Sequence, residues 1–216
     1  MKKLYTYLIL SAALLTFTGC IGFASNFMYM LEGLKIEAAY DGLSDSKVAV
    51  IVVSDASSYG PDTLARVVSR SMGTYLNQNV DGIKVIPQNI IENWQDTHGW
   101  DRVDFREIGR GVNAEKVVAV ELESYSIHEG MTLYKGRSMV TTTVYDMSED
   151  EGQVVFSQGP AEYLFPKGHA TPVMSNTEQQ FEALYLSKLV ENISRNFYDY
   201  DKAESIAEDA TAVGFH

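Results

Sequence analysis

The sequence is poor in cysteine, histidine and positive charge. Cys20 is the single cysteine in 216 residues, so no intrachain disulfide can form. The 4 histidines share no spacing typical of zinc ligands. Lysine and arginine number 17 against 29 acidic residues, for a formal net charge of −12. Since phosphates and anionic lipid headgroups repel such a chain, we expect no nucleic-acid partner. Separately, because the histidines lack zinc-ligand spacing, we expect no metal, and we expect no cofactor.

The amino terminus has the features of an export signal. Lys2 and Lys3 precede an apolar run over residues 4–17, and Gly19 stands directly before Cys20. A membrane-spanning helix needs about 20 apolar residues, so the shorter run favours a cleaved signal over a retained transmembrane anchor. We predict a signal peptide over residues 1–19.

The same segment resembles the signal of bacterial lipoproteins, in which the cysteine is acylated and becomes the first residue of the mature chain. The resemblance implies a lipid anchor on Cys20, whereas the alternative is an ordinary secretory signal with an incidental cysteine. Ile21 follows, not the aspartate that retains lipoproteins in the inner membrane. The resemblance therefore places the protein on the periplasmic face of the outer membrane.

Residues 20–46 connect the predicted anchor to the rest of the chain. Two interpretations remain open: the segment packs on the domain as a helix or strand, or it lies on the membrane as an amphipathic segment. Its apolar residues recur at helical spacing, at Phe23, Phe27, Met30, Leu31 and Leu34.

Residues 47–200 are predicted to form one domain. Lys47–Ser54 (KVAVIVVS) is almost entirely apolar and β-branched, which is typical of a central strand covered on both faces. A helix is predicted to begin at Pro61, since proline is favoured at the first helical position. Its buried face is predicted to contain Leu64, Val67, Val68, Met72, Tyr75 and Leu76.

Next we predict a short strand over residues 83–86, followed by two short helices between residues 88 and 111. The second helix is predicted to be capped by Asp101 or Asp104. A β-hairpin over residues 117–146 then organises the domain. In its first strand one face is predicted to carry Val118, Val120 and Leu122, and the other Glu121, Glu123 and Tyr125.

The last part of the domain is predicted to be a strand and a long helix. The strand spans residues 153–165 and bends at Gly159-Pro160. The helix follows a capping box formed by Ser175 and Glu178. Residues 201–216 read as an acidic tail that frays. The fold class is α/β, a single domain with a mixed sheet and covering helices in the order β-α-β-α-α-β-β-β-α.

Motifs for catalysis or cofactor binding are weak. Gly109, Gly111 and Ala114 match a dinucleotide fingerprint, but a helix precedes them and a strand follows, so a helix stop is the better interpretation. Glu121 and Glu123 lie side by side on one strand face. Such carboxylates can act as acid and base, although a solvated face paired with Arg137 or Lys135 is commoner.

The loop at Ser57–Gly60 opens a helix and could bind an anion, but no basic residue in the sequence supports it. We predict no catalytic residue.

The run from Gly109 through Ala114 to Val117, before a hairpin, resembles a group of bacterial envelope domains: the amino-terminal domain of TolB, CsgG and LpoB. The resemblance implies a domain that acts by binding other proteins. A second likeness is to a group of planctomycete lipoproteins, to which no activity is attached. It rests on residues 38–43 (AAYDGL) and 127–146, including LYKGR at Leu133–Arg137.

These observations favour a non-enzymatic, membrane-anchored envelope lipoprotein that binds or scaffolds other envelope proteins. The alternative is a carrier of a small or lipidic ligand, and a hydrolase using Glu121 and Glu123 is a third interpretation. Trp94, Trp100 and Phe105 are the predicted partner-binding residues, because exposed aromatic residues are enriched at binding hot spots. The competing interpretation is that both tryptophans are core residues.

Overall fold

The computed structural model describes residues 35–54, 62–99, 103–148, 152–168, 170–172 and 177–201. The signal peptide, Cys20, the predicted helical stretch of the connecting segment, the Ser57–Gly60 loop, Trp100 and residues 202–216 lie outside them. The described residues form eight strands and four helices. In chain order these are β1 (Lys35–Ile36), β2 (Lys47–Ser54), α1 (Thr63–Asn79), β3 (Lys84–Val85), α2 (Gln88–His98), α3 (Phe105–Gly111), β4 (Lys116–Glu129), β5 (Leu133–Asp146), β6 (Gln153–Phe165), β7 (Thr171–Pro172), α4 (Glu178–Ser194) and β8 (Tyr200–Asp201).

The predicted mixed α/β fold and its element order are confirmed. The main sheet has the strand order β3-β2-β4-β5-β6, and β7 pairs with the first two residues of β5. β2 runs parallel to β3 and β4, while β4, β5 and β6 form an antiparallel meander. The sequence pattern did not predict the two-residue strands β1, β7 and β8.

One face of the sheet packs against α1 and α4 to form the first core. Val50, Val118 and Val120 are at most 2% exposed there, and the helices contribute Met72 and Leu189, both nearly inaccessible. The burial of Val118, Val120 and Leu122 confirms the predicted strand register.

The opposite face packs against α2 and α3 to form a smaller second core. Ala49, Ile51 and Val117 from the sheet meet Ile91 and Ile108 from the helices. The buried residues that the sheet contributes to this core lie on β2 and at the start of β4, and Tyr145 of β5 packs at its edge. β2 is therefore buried on both faces, as its continuous apolar run predicts.

Two helix starts and one helix face differ from the predictions. α1 begins at Thr63, where Asp62 accepts a hydrogen bond from Leu64 N, and Pro61 lies outside the described residues. α4 has a capping box that Thr177 and Gln180 form, with Glu178 as the first helical residue, and Ser175 lies outside the described residues. Val67 is 41% exposed, because the buried stripe of α1 runs through Ala65, Val68, Met72 and Leu76.

The predicted direction of Tyr125 is wrong. A bulge between Leu122 and Ser124 shifts the pairing of β4 with β5, and Tyr125 then lies opposite Ser138 on the face of the first core. Its ring stacks on Tyr185, with centroids 5.7 Å apart. Glu121 and Glu123 remain on the other face.

The two ends of the described chain are joined. β1 pairs antiparallel with β8, which includes Asp201 of the predicted tail. Lys35 Nζ lies 2.9 Å from Asp199 Oδ2, and Ala38 N donates to Asp199 Oδ1 at 2.9 Å. Tyr40 N donates to the carbonyl of Asn196 at 2.9 Å. For residues 35–46 these contacts support the interpretation that the connecting segment packs on the domain.

Candidate protein-binding site

Trp94 lies on α2, packs against the end of α3, and is half-buried in the second core. Its indole stacks on the His98 ring, with centroids 4.1 Å apart and planes 7° apart. A side chain at Gly111 would overlap the indole nitrogen, so the end of α3 lies directly against the ring. These contacts give Trp94 a packing role, as the core interpretation of the tryptophans predicts. The close approach of the indole explains why glycine stands at Gly111, the last residue of α3, whereas the left-handed backbone after this helix is at Asn113.

Phe105 lies where the cover of the second core ends. α3 starts at this residue because Asp104 Oδ1 accepts hydrogen bonds from Arg106 N at 3.0 Å and Glu107 N at 3.1 Å. The cap predicted at Asp101 or Asp104 is therefore at Asp104. The Phe105 ring stacks on Tyr145 at a centroid distance of 6.2 Å, with the Arg106 guanidinium 5.0 Å from the centre of the Tyr145 ring.

The phenol of Tyr145 stays protonated at neutral pH. Burial raises its pKa; nearby Arg106 lowers it, whereas the carboxylates of Glu121 and Asp104 raise it further. The rim formed by Phe105, Arg106 and Tyr145 lines a shallow cavity of about 130 Å³ together with Val103 and Asp104. An aromatic pair, a cation and a hydroxyl donor thus share one concave edge, as is typical of protein-binding hot spots.

Beyond this rim the sheet carries an open face, defined by Glu121, Glu123, Thr141, Thr143 and Ser157. Thr141 Oγ1 donates to Glu123 Oε1 at 2.6 Å, and the Thr143 and Ser157 hydroxyls are 3.5 Å apart. Glu121 and Glu123 are exposed. Among the described residues, neither carboxylate lines any of the cavities reported in this section. They occupy an exposed sheet surface.

The predicted cross-hairpin partners of these carboxylates are wrong. Arg137 Nε lies 3.6 Å from Glu162 on β6, and Lys135 Nζ lies 3.7 Å from Glu129 near the hairpin turn. In the register of the hairpin Glu121 lies opposite Thr141 and Arg137 lies opposite Ser126, so neither cation is directly across from these carboxylates. The hydroxyl of Thr141 is the hydrogen-bond partner of Glu123.

The carboxyl end of β2 has a basic residue that the sequence-based reasoning missed. Arg66 lines a crevice of about 20 Å³ there, enough for about one water molecule. Arg66 Nε lies 2.8 Å from Glu92 Oε1, and Arg70 lies 3.8 Å from the same carboxylate. The sequence feature that points to this site is the spacing of the two arginines, which lie one turn apart on α1. Because α2 supplies Glu92, the site is an ion-pair cluster.

Two further cavities lie beside α4. A surface groove of about 320 Å³ between α1 and α4 includes Val67, Tyr75 and Leu186. A second, of about 220 Å³, lies between α4 and the edge of β6. Within the described ranges no group of three or more histidine, cysteine or acidic residues could hold a metal ion. In the same ranges no helix is long and apolar enough to cross a membrane.

No family model and no curated protein matches the sequence. Several solved structures have a similar architecture. The chain is similar to lipoprotein GNA1162 from Neisseria meningitidis at 12% identity, covering 69% of this chain and 98% of that one, with a TM-score of 0.43. It is similar to the PelC dodecamer from Paraburkholderia phytofirmans at 16% identity, covering 76% and 95%, with a TM-score of 0.43.

The LpoB C-terminal domain from Salmonella enterica is similar at 13% identity, covering 57% of this chain and 85% of that domain, with a TM-score of 0.37. LpoB belongs to the group that the sequence resembles. At identities and TM-scores this low, none of these likenesses carries a role over to this chain. The resemblance to planctomycete lipoproteins stays a prediction.

Proposed function

We propose that this protein is a lipid-anchored envelope protein that binds other envelope proteins through the open face and its aromatic rim, and that it has no catalytic role. The observation that carries the proposal is the unequal covering of the sheet. α1 and α4 close one face, whereas α2 and α3 leave the other open beyond the start of β4. The exposed carboxylates Glu121 and Glu123 favour a partner with basic residues.

The chemistry of the two carboxylates supports a binding role over hydrolysis. A general acid needs a site that excludes water and raises its pKa. Glu121 and Glu123 are exposed on a sheet surface, and Glu123 already accepts a hydrogen bond from Thr141.

The anchor on Cys20, on the periplasmic side of the outer membrane, is part of the proposal. The motif at Gly19-Cys20 supports it, and a tether would raise the effective concentration of the domain near membrane-bound partners. Intact mass of the membrane-extracted protein should show an acylated chain that starts at Cys20. An unmodified thiol or a different first residue would remove the anchor from the proposal.

Photo-crosslinking in the native envelope tests the binding face. Benzoylphenylalanine placed at Glu121 should capture a protein partner, whereas the same group at Thr74, exposed on α1, should capture little. When Phe105→Ala is combined with the photo-crosslinker at Glu121, the crosslinking yield should fall, since the rim would lose its aromatic contact. Equal yields at both positions would show that the open face is no interface.

A further inference from the structure

The groove of about 320 Å³ between α1 and α4 is bounded by one ridge of side chains from each helix. The residues of each ridge lie four apart in the sequence, so each ridge follows its helix for about 12 Å. The ridges consist of Val67, Ser71 and Tyr75 on α1 and of Gln179, Ala183 and Ser187 on α4, with Glu182 and Leu186 beside the second. A groove between two helix ridges is the kind of site into which the apolar face of another helix packs.

The groove is mostly apolar and reaches the surface. Val67 is 41% exposed, and Tyr75 and Leu186 are half-buried. Of the described residues that line the groove, Glu182 alone is charged, and its Oε1 accepts a hydrogen bond from the Tyr125 hydroxyl at 3.2 Å. Burial and the Glu182 carboxylate raise the pKa of Tyr125, so the phenol stays a donor. The groove therefore favours an occupant that is apolar and carries no strong charge.

The chain itself contains such an occupant. Residues 21–34 (IGFASNFMYMLEGL) include one acidic residue, Glu32, and no basic residue. Their apolar residues at helical spacing are Phe23, Phe27, Met30, Leu31 and Leu34. On a helix these five residues would form one stripe, with Tyr29 on the opposite side. Such a stripe fits a groove that accepts apolar side chains along its length.

Residues 21–34 join the domain beside one end of this groove. β1 follows them directly and pairs with β8, and the Arg195 guanidinium lies 4.7 Å from the centre of the Tyr200 ring. Both short strands therefore lie near the carboxyl end of α4. From that end the α4 ridge extends from Ser187 back to Gln179, at about 10 to 22 Å along the helix. A helix of residues 21–34 would be about 21 Å long, enough to lie along the whole groove.

We propose that residues 21–34 bind as an amphipathic helix in the groove between α1 and α4, with Phe27 and Leu31 against its ridges. Because Cys20 precedes this segment, its lipid would hold the domain with α1 and α4 towards the membrane. The open face is on the other side of the sheet, so it would point away from the membrane and towards partners. This orientation rests on the proposed function, whereas the binding of the segment does not. A second copy fits the groove less well, because two chains of net charge −12 repel each other.

Photo-crosslinking in the membrane-extracted protein tests the contact. Benzoylphenylalanine at Phe27, within the apolar stripe, should crosslink to α1 or α4 of the same chain, and mass spectrometry of the digest locates the bond. The control is the same group at Tyr29, from which that crosslink should be lost, since it lies opposite the stripe. Equal crosslinks from both positions would overturn the proposal. So would a Phe27 group that reacts with lipid, a second copy, another protein or a different part of the domain, or that forms no crosslink.

A charge placed in the groove tests the site. Ala183→Glu adds a carboxylate at an exposed groove residue, so the domain should fold while the apolar segment is released. The Phe27 crosslink should be lost, and the amides of residues 27–34 should exchange faster with deuterium. Ser187→Glu repeats the test at a second exposed groove residue. The matched control is Thr74→Glu, which adds the same charge at an exposed α1 residue outside the groove lining. Unchanged crosslinking and exchange in both groove variants, or equal losses in the control, would overturn the assigned groove.

Partner capture separates this inference from the proposed function. A Phe27 crosslink to α1 or α4 without any partner captured from Glu121 would support the groove and count against the open face. Capture from Glu121 without a Phe27 crosslink to either helix would refute the groove and leave the proposed function standing.

Discussion

The two faces of the sheet differ in how far they are covered along one strand, β4. On the face of the first core, β4 is buried at Val118, Val120 and Leu122. On the other face Ala119 is 1% exposed, yet Glu121, the next residue on that face, is exposed. The cover provided by α2 and α3 ends between them. The change in β4 from a continuous apolar run to an alternating pattern therefore marks the place where a covered surface becomes an available one.

The largest expected effect separates these faces directly. Val120→Asp puts an unpaired carboxylate into the first core, at a residue with no exposure, and should cost more than about 4 kcal/mol, enough to unfold the domain. Glu121→Ala, one residue away, should change stability by less than about 0.5 kcal/mol. Urea denaturation followed by circular dichroism measures both. A folded Val120→Asp variant would mean that the assigned faces are wrong.

The second core should be less sensitive because it is smaller. Trp94→Ala removes the stack on His98 and the contact with Gly111, and should destabilise the domain by about 2 kcal/mol, because Trp94 is half-buried. Thermal unfolding measures the loss. An unchanged melting temperature would show that Trp94 is dispensable for packing and would restore it as a candidate binding residue.

An ion pair between β4 and β5 should give a smaller, pH-dependent effect. The Lys116 ammonium, helped by Ser148, lowers the pKa of Asp146 to about 2. Because the folded-state pKa is below the unfolded one, the stabilisation is present above about pH 4 and is lost as the pH falls towards 2, by about 1–2 kcal/mol. Asp146→Asn should flatten this acid limb in denaturation curves measured from pH 6 to 2.

The control for this pH effect is the exposed pair at the chain ends. Asp199 is paired with Lys35 outside the sheet, with both side chains well exposed. Asp199→Asn should leave the acid limb almost unchanged, since surface ion pairs contribute little. If the loss of stability at low pH persists in Asp146→Asn, other carboxylates cause it.

A small stability change, with a larger change in binding, is expected at the rim. Phe105 is half-buried, so Phe105→Ala should cost no more than about 1 kcal/mol while partner capture from Glu121 falls. Capture yield and melting temperature are measured on the same preparation. A large fall in melting temperature with proportional loss of capture would make Phe105 structural, like Trp94.

Local sequence patterns predicted much of the fold. Most of the predictions that the structure corrects concern residues whose contacts are with distant parts of the chain. The run at β2 and the alternation in β4 predicted both strands and their buried faces. Tyr125 was placed on the wrong face because a bulge depends on how β4 aligns with β5, which no local pattern reports. Arg66 was missed as part of a site because its partner Glu92 is on another helix.

The sequence by itself determined the order of helices and strands and the bend at Gly159-Pro160, since these depend on local backbone preference and apolar periodicity. Only the tertiary structure decided which half of the second sheet face stays open, that Phe105 meets Tyr145 at its rim, and that the edge of β6 faces α4 across a groove. The physical reason is the same in each case. Coverage, stacking and edge exposure depend on residues that are distant in the chain and are brought together only by packing.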